Sequence, residues 1–410
     1  MTFGRPSKVA SPRTREHRSP ADAVAPVTHA AGHSTSPGRV LVLAEDLGGG
    51  TGNHLCEMVA LWCKRGWETV LVTQTPPLVR RLPAAVDVRV MSRAGWYDRF
   101  PIAQVRRFLQ LRRIVREVRP DIIHTYFFWS IIYGRVLKRL GYAPRLVENR
   151  EDLGFSWGRG SYSLLRLTAG IPDRIICVAD AVRRVAVARE GVDVGRTRVV
   201  HNGIHSSAAE RNARATARQG FGFTDDDIVV GMVANLPRAV KGGRRLLDAV
   251  APIVAAAPAV RFLLVGLGTD RATLEPELKA RGIANVVVGA GYTRDVDACY
   301  DAMDISVLTS STEGLSITLL ESMRHGLATV VTKVGGNAEL VMDGETGFLV
   351  PVDDATAFVG RVVTLARDAN LRRAMGAAGR QRVAEHFALE RVAEQYLAVY
   401  GELLAEEKGR

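Results

Sequence analysis

Two glutamates, Glu313 and Glu321, stand eight positions apart in the stretch STEGLSITLLESMRHG, residues 311–326. An ionised carboxylate accepts two hydrogen bonds side by side and strengthens both, so a pair of them suits the paired hydroxyls of a sugar or ribose. Between and beyond them Leu315, Ile317, Leu319, Leu320 and Met323 read as the buried side of a helix that begins just after Gly314. Taken alone, Glu321 is equally well explained as a solvated charge on that helix. The flanks argue for chemistry, because DISVLTSST at 304–312 is an apolar strand that ends in small hydroxyl residues. Strand, short Ser/Thr/Gly loop and helix form the unit in which helix-start N–H groups meet an anion or a sugar. In that unit Glu313 sits in the loop and Glu321 two turns inside the helix, both toward the crevice at the carboxyl end of a sheet.

Other stretches offer matching chemistry. ANLPRAVKGG at 234–243 holds Arg238 and Lys241 between a strand and a helix. Arg as a fork and Lys as a point charge suit a diphosphate. Cations are mildly unfavourable at a helix start, which weighs against plain surface charge there. GGGTGNH at 48–54 follows the first strand as a loop, and glycines such as Gly49 and Gly50 let backbone N–H groups approach a phosphate or sugar. It has neither the GxGxxG spacing nor the Lys-Ser/Thr of a P-loop, and a tight turn is the plain alternative. GGNAELVMDGETGFLVP at 335–351 repeats the arrangement after a later strand.

The elements that must position these residues alternate. From Arg39, short apolar strands such as RVLVLAED, ETVLVTQ, DIIHTYFF and DRIICVAD are separated by amphipathic helices, the pattern of a parallel, doubly wound sheet. The rhythm breaks over 205–226, restarts with IVVGMVANL and ends in a helix, LERVAEQYLAVYGELLAEE. The expected organisation is α/β: a disordered basic tail over 1–38, one Rossmann-like domain over 39–204 and a linker region over 205–226. A second Rossmann-like domain over 227–385 follows, and a terminal helix over 386–410 has room to cross back to the first. The carboxyl ends of the two sheets would then face one ligand across a cleft.

Composition bounds the possibilities. The chain has 410 residues, enough for two cores, and 47% hydrophobic residues. No run reaches the ~18 apolar residues of a membrane span. Residues 1–38 lack an apolar stretch, so no secretory signal is expected. Four scattered cysteines, Cys56, Cys63, Cys177 and Cys299, fit a reduced, cytoplasmic protein without structural zinc. The net charge of +12 is uneven: residues 1–200 carry about 15 more basic than acidic side chains, and the rest about 3 more acidic than basic. One helix, FPIAQVRRFLQLRRIVREVRPD, sets Leu111, Ile114, Val115 and Val118 on one side and Arg106, Arg112, Arg113, Arg116 and Arg119 on the other. That face suits an anionic membrane surface or a lipid-pyrophosphate acceptor. A nucleic-acid-binding protein is the non-enzyme alternative, but no recognition motif or aromatic stacking set accompanies the arginines, and the glutamates would go unexplained.

From STEGLSITLLESMRHG through GGNAELVMDGETGFLVP, with VVHNGI at 199–204, ANLPRAVKGG and the early glycine stretch in the same order, the chain resembles the retaining GT-B glycosyltransferases of family GT4 over about residues 38–400. ENREDLGFSWGRG at 148–160 also resembles a segment of members that build bacterial exopolysaccharides. The resemblance implies that Glu321 binds the ribose of a nucleoside diphosphate sugar and that Glu313 contacts the donor sugar. Arg238 and Lys241 would hold the diphosphate, with the amides of Gly314, Leu315, Ser316 and Ile317 on the donor's polar groups. Gly49 and Gly50 would close from the other side, and Tyr292 and Arg294 would line the base site. His124 enters as a candidate catalytic residue, although members often carry His-x-His where this chain has His124-Thr125-Tyr126. Members also often carry Arg where Asn235 stands, which leaves the charge to Arg238.

The implied reaction is transfer, with retention, from a UDP-sugar in preference to a GDP-sugar to a glycan or lipid-linked acceptor of the cell envelope. It would run at the inner face of the plasma membrane. No cofactor and no metal are expected, and no DxD stands out: DDD at 225–227 falls in the linker and DAMD at 301–304 reads as helix surface. Nucleotide-sugar epimerases and sugar phosphorylases share the architecture and are the enzyme alternatives.

Overall fold

The computed structural model describes residues 36–74, 82–91, 101–154, 157–205, 214–293 and 295–408. The tail expected over 1–38 lies outside them except at its end. Among the described residues, short runs of Val, Ile and Leu form two parallel sheets. The first contains β1 (Arg39–Ala44), β2 (Glu68–Thr73), β3 (Asp87–Val90), β4 (Ile122–Tyr126), β5 (Arg145–Arg150), β6 (Arg174–Cys177) and β7 (Thr197–Val199), in the order β3-β2-β1-β4-β5-β6-β7. The second contains β8 (Ile228–Val233), β9 (Val260–Val265), β10 (Val287–Gly291), β11 (Ile305–Leu308), β12 (Ala328–Thr332) and β13 (Gly347–Val350), in the order β10-β9-β8-β11-β12-β13. Every paired strand is parallel. Central strands such as β1, β4 and β12 are buried along nearly their whole length, as a sheet covered on both faces by helices requires.

Each sheet reverses its strand order once, between β1 and β4 and between β8 and β11. The chain leaves adjacent strands in opposite directions there, and a crevice opens at the carboxyl edge. The two domains share an apolar seam in which Val178, Ala179 and Val182 belong to the same buried cluster as Leu315 and Leu340. The two connections between domains run side by side: Ile204 N–H donates to Phe387 C=O at 2.9 Å, and Leu389 N–H donates to Ile204 C=O at 3.0 Å.

The terminal helix, Leu389–Lys408, packs on the first sheet. Leu389, Val392, Tyr396, Val399, Tyr400 and Leu403 recur at the spacing of one helix face and share a cluster with Val40, Val42 and Ile122.

Three expectations need correction. Only part of 205–226 is a connection. From Arg214 on, the helix Arg214–Phe221 packs against the helix Val296–Ala302, and Phe223 is buried with Val229 and Leu263. Its arginines explain the second correction. Asp304 pairs with Arg214 at 2.7 Å and Arg218 at 3.1 Å, and Asp301 is buried, so DAMD is not helix surface. Thirdly, GGGTGNH is not a loop, because the helix Gly49–Lys64 begins inside it.

Candidate functional site

The loops that follow β8 and β11 meet at the crevice of the second sheet. Ser311 N–H donates to Val240 C=O at 2.8 Å, and the Thr309 hydroxyl donates to Gly242 C=O at 2.8 Å. These bonds set Lys241, in the single turn Ala239–Lys241, beside Glu313. Lys241 Nζ lies 2.8 Å from Glu313 Oε1 and 3.0 Å from Oε2, and Ser310 Oγ donates to Oε1 at 2.6 Å. Glu313 is 8% exposed while the Lys241 side chain keeps 24%, so the ammonium faces the crevice and the carboxylate backs it. Behind this loop Gly335 has φ +48°, and a Cβ there would fall 1.7 Å from Glu313 C=O. Gly336 N–H donates to Gly314 C=O at 2.8 Å and holds the loop from the same side.

The helix that follows starts at Ile317, later than expected, and Ser316 caps it by accepting the Leu319 N–H at 3.3 Å. Leu315 is buried before the helix, and its carbonyl accepts a long 3.5 Å bond from Asn202 of the first domain. Glu321 therefore sits little more than one turn inside. Tyr300, fully buried on the helix Val296–Ala302, donates its hydroxyl to Glu321 Oε2 at 2.9 Å. Burial nonetheless pushes the Glu321 carboxyl up to about 7, against the lowering effect of that bond.

Other candidates are distributed around this pair. Arg238 precedes the Lys241 turn, is exposed and lies near enough to Asp152 of the first domain to favour its ionised form. Tyr292 follows β10 at the same carboxyl edge and is exposed, whereas Arg294 lies outside the described residues. Gly49 and Gly50 open the helix Gly49–Lys64, and a side chain begun at Gly50 would stand 3.5 Å from Ile317 Cδ1. Two helix starts thus approach each other, and the partial positive charge of each favours an anion between them.

His124 is not part of this crevice. It is fully buried in mid-strand, its Nδ1 is 2.6 Å from Tyr400 Oη, and Trp62, Tyr126 and Tyr396 surround it. Burial pushes its pKa down to about 3, which leaves a neutral core imidazole. The terminal helix supplies Tyr396 and Tyr400, so the partners that bury His124 lie some 270 positions away in sequence.

Several site residues escaped the sequence reading. Ser310 and Tyr300, which hold Glu313 and Glu321, had only an unremarkable hydroxyl as a signal. Glu339, within GGNAEL, ties the domains: its carboxylate accepts the N–H groups of Asp180 at 2.9 Å and Ala181 at 3.0 Å, and His201 Nε2 is 2.9 Å away. Burial acts to raise its pKa, but these partners outweigh it and hold the carboxyl below its ordinary value. Glu45 and Glu151, at the carboxyl ends of β1 and β5, are both pushed up to about 7 by burial. Gly314 abuts the second of them, since a Cβ there would lie 1.9 Å from Glu151 C=O. Among the described residues no three His, Cys, Asp or Glu side chains gather as metal ligands.

Comparison with known proteins places the fold and the family. Residues 213–382 match the family described as glycosyl transferases group 1, and residues 48–208 match glycosyltransferase family 4. The chain is 25% identical over 279 residues to the UDP-Gal:alpha-D-GlcNAc-diphosphoundecaprenol alpha-1,3-galactosyltransferase of Escherichia coli, which covers 65% of this chain and 72% of that protein. It is 29% identical over 300 residues to alpha-maltose-1-phosphate synthase of Mycolicibacterium smegmatis, with 67% and 75% covered. The crystal structure of Anabaena Alr3699/HepE in complex with UDP superposes with a TM-score of 0.76 over 89% of this chain and 100% of that one, at 19% identity. With both domains matched and two doubly wound sheets facing across a crevice, the chain belongs to the family 4, group 1 glycosyltransferases of GT-B fold.

Proposed function

We propose that this glycosyltransferase takes its sugar from a nucleoside diphosphate donor, UDP-linked in preference to GDP-linked. It passes the sugar, with retention, to a glycan or lipid-linked acceptor of cell-envelope polysaccharide. The observation that carries the reading is the Lys241–Glu313 pair at the reversal point of the second sheet, with Arg238 and Glu321 on the same edge. Glu321, held by Tyr300, accepts the ribose hydroxyls, and Glu313 contacts the donor sugar. Tyr292 and Arg294 line the base, the amides of Gly314, Leu315, Ser316 and Ile317 hold the donor's polar groups, and Gly49 and Gly50 close from the first domain.

The incoming diphosphate draws Lys241 away from Glu313 and meets Arg238. As the bond from C1 to the diphosphate breaks, charge builds on the departing oxygens. The two cations and the converging helix starts stabilise it without a metal. The acceptor oxygen bonds to C1 from the same face, and its proton passes to the departing phosphate oxygen. A UDP-bound structure of the same fold and a relative named for UDP-galactose support UDP as the nucleotide.

The exposed face of the helix Pro101–Val118 supports placement at an anionic membrane. Arg106, Arg113 and Arg116 interleave there with Val105 and Leu109, which are 56% and 51% exposed. Incubation of a UDP- and GDP-sugar panel with a bacterial lipid extract, with and without EDTA, tests the reading. A product with the donor's anomeric configuration, formed with a UDP-sugar in EDTA, is expected. Inversion, an absolute EDTA block, or epimerised donor without an acceptor product overturns it. Arg113→Glu with Arg116→Glu should abolish sedimentation with anionic liposomes, and unchanged sedimentation removes the membrane face.

A further inference from the structure

The Tyr300 hydroxyl stands behind the Glu321 carboxylate with one proton and two acceptors. Its Oη lies 2.9 Å from Glu321 Oε2 and 3.1 Å from the Thr318 carbonyl, so the proton serves one of them at a time. Resting on the transferase reading above, we propose that Tyr300 is a positioning residue that sets ribose selectivity. Its proton holds Oε2 of the ionised Glu321 and leaves Oε1 to the ribose hydroxyls, and it turns to the Thr318 carbonyl when Glu321 takes up a proton.

The tyrosine ring is fixed from several sides. Tyr300 is fully buried on the helix Val296–Ala302, and its ring stacks on the His325 imidazole with centroids 5.0 Å apart and planes inclined at 29°. His325 is fully buried as well. Its Nδ1 is 2.8 Å from the Glu321 carbonyl oxygen, and its Nε2 is 3.3 Å from Asp297, on the helix that carries Tyr300. Asp297 also pairs with Arg324, and Arg380 of the helix Ala369–His386 donates to the His325 carbonyl at 3.0 Å. The helices that carry the tyrosine and the glutamate are therefore tied at the surface by Asp297 and inside by the ring stack. That frame delivers the hydroxyl to Oε2 before any ligand arrives.

A ribose offers two neighbouring hydroxyl donors, and a carboxyl that carries a proton loses part of its capacity to accept them. Glu321 is half-buried, so it keeps a side toward the crevice. Burial opposes its ionised form, and the nearby Asp297 adds to that; Tyr300, Arg324 and His325 favour ionisation, Tyr300 by a direct bond to the carboxylate. Burial and the adjoining carboxylate push the Tyr300 hydroxyl far above the ordinary phenol range, so it keeps its proton and acts as a donor. Thr318 lies three positions before Glu321 on the helix Ile317–Arg324, and the two acceptors therefore share one helix face. With either acceptor the buried hydroxyl is satisfied, and the change of partner costs no unpaired polar group.

Calorimetry on the full chain tests the proposal, with UDP and its 2′-deoxyribose analogue titrated at pH 6, 7.5 and 8.5. The wild type should prefer UDP by about tenfold or more at pH 7.5. Tyr300→Phe keeps the ring on His325 and should shrink that preference to about threefold or less. The preference should recover toward pH 8.5, because loss of the bond moves the Glu321 titration up by about one pH unit. A bond with a packing role alone would cost stability and leave the preference unchanged. A second readout serves if Tyr300→Phe fails to fold: NMR of the wild type, isotope-labelled at the tyrosine Cζ. One tyrosine signal should shift between pH 6 and 8.5 as the hydroxyl changes acceptor, and should stop shifting in Glu321→Gln. An unchanged preference in folded Tyr300→Phe, or no tyrosine signal whose shift with pH depends on Glu321, overturns the inference and leaves the donor reading standing. If the wild type binds UDP and the deoxy analogue equally, the assignment of Glu321 to the ribose falls, and this inference with it. If UDP itself fails to bind the wild type, the nucleotide-donor reading falls as well.

Discussion

The Lys241–Glu313 pair makes a prediction that can be worked from its geometry. Lys241→Met removes the ammonium and keeps the chain length, leaving a buried carboxylate with the Ser310 hydroxyl 2.6 Å away. At the observed 2.8 Å, an effective dielectric of about 20 gives a gross attraction of about 6 kcal/mol. Desolvation of Glu313, the rotamer entropy of Lys241 and the 24% exposure of its side chain offset much of that, leaving about 2 kcal/mol of net coupling. A double-mutant cycle of Lys241→Met and Glu313→Gln, read by urea unfolding at pH 7.5, measures it. The double variant should lose little more stability than either single one. Calorimetry adds a functional arm. Lys241→Met should weaken UDP binding about tenfold or more, whereas Glu313→Gln, which frees the ammonium, should leave UDP binding as tight or tighter. A coupling under about 0.5 kcal/mol, or UDP binding indifferent to Lys241→Met, refutes the idea that this lysine exchanges a carboxylate for a diphosphate.

Further outcomes follow at Glu321, Glu339 and Tyr400. Glu321, pushed up to about 7 by burial, must be ionised to accept ribose hydroxyls, so affinity for UDP-glucose should fall as pH drops from 7 to 5, by at most about tenfold per unit. Glu321→Gln should bind weakly and without that slope. In the unliganded protein the sign is opposite: the folded state retains a proton that the unfolded chain releases. The stabilisation from this group is full below about 4.5 and lost as pH rises through about 7, visible as a wild-type-minus-Glu321→Gln difference in melting temperature. Glu339→Ala removes three contacts across the domain seam and should cost about 1–3 kcal/mol, with a larger radius of gyration in X-ray scattering. Tyr400→Phe leaves the buried His124 Nδ1 without its 2.6 Å partner and should cost about 1–3 kcal/mol, while UDP affinity stays at the wild-type value.

The alternation of apolar runs made the two sheets legible, because strands covered on both faces must be apolar along their length, as in RVLVLA and ATVVT. The residue types in the loops after β8 and β11 were equally legible, since cations at a helix start and a carboxylate after a strand have few plain explanations. Their mutual contact was not: Lys241 and Glu313 are 72 positions apart, and only the adjacency of β8 and β11 brings them together. Long-range burial accounts for the errors. His124 is a candidate through the family resemblance alone, and the terminal helix covers it from the far end of the chain. Polar letters hid the packing of 214–226, where Arg218 is buried and donates to Thr224 and Asp227 carbonyls. Glycines in GGGTGNH suggested a loop, yet a helix start tolerates them. Tyr300 and Glu45 owe their relevance to position alone, and no local pattern distinguishes them.

The central claim is that the crevice of the second sheet binds a nucleoside diphosphate through Glu321 and the two cations. Isothermal titration of UDP and of GDP into the wild type, Glu321→Ala and Arg238→Ala at pH 7.5 tests it most directly. UDP should bind more tightly than GDP, and each substitution should weaken UDP binding at least about tenfold with folding intact. Binding of neither nucleotide, or UDP binding that both variants retain at full strength, would contradict it.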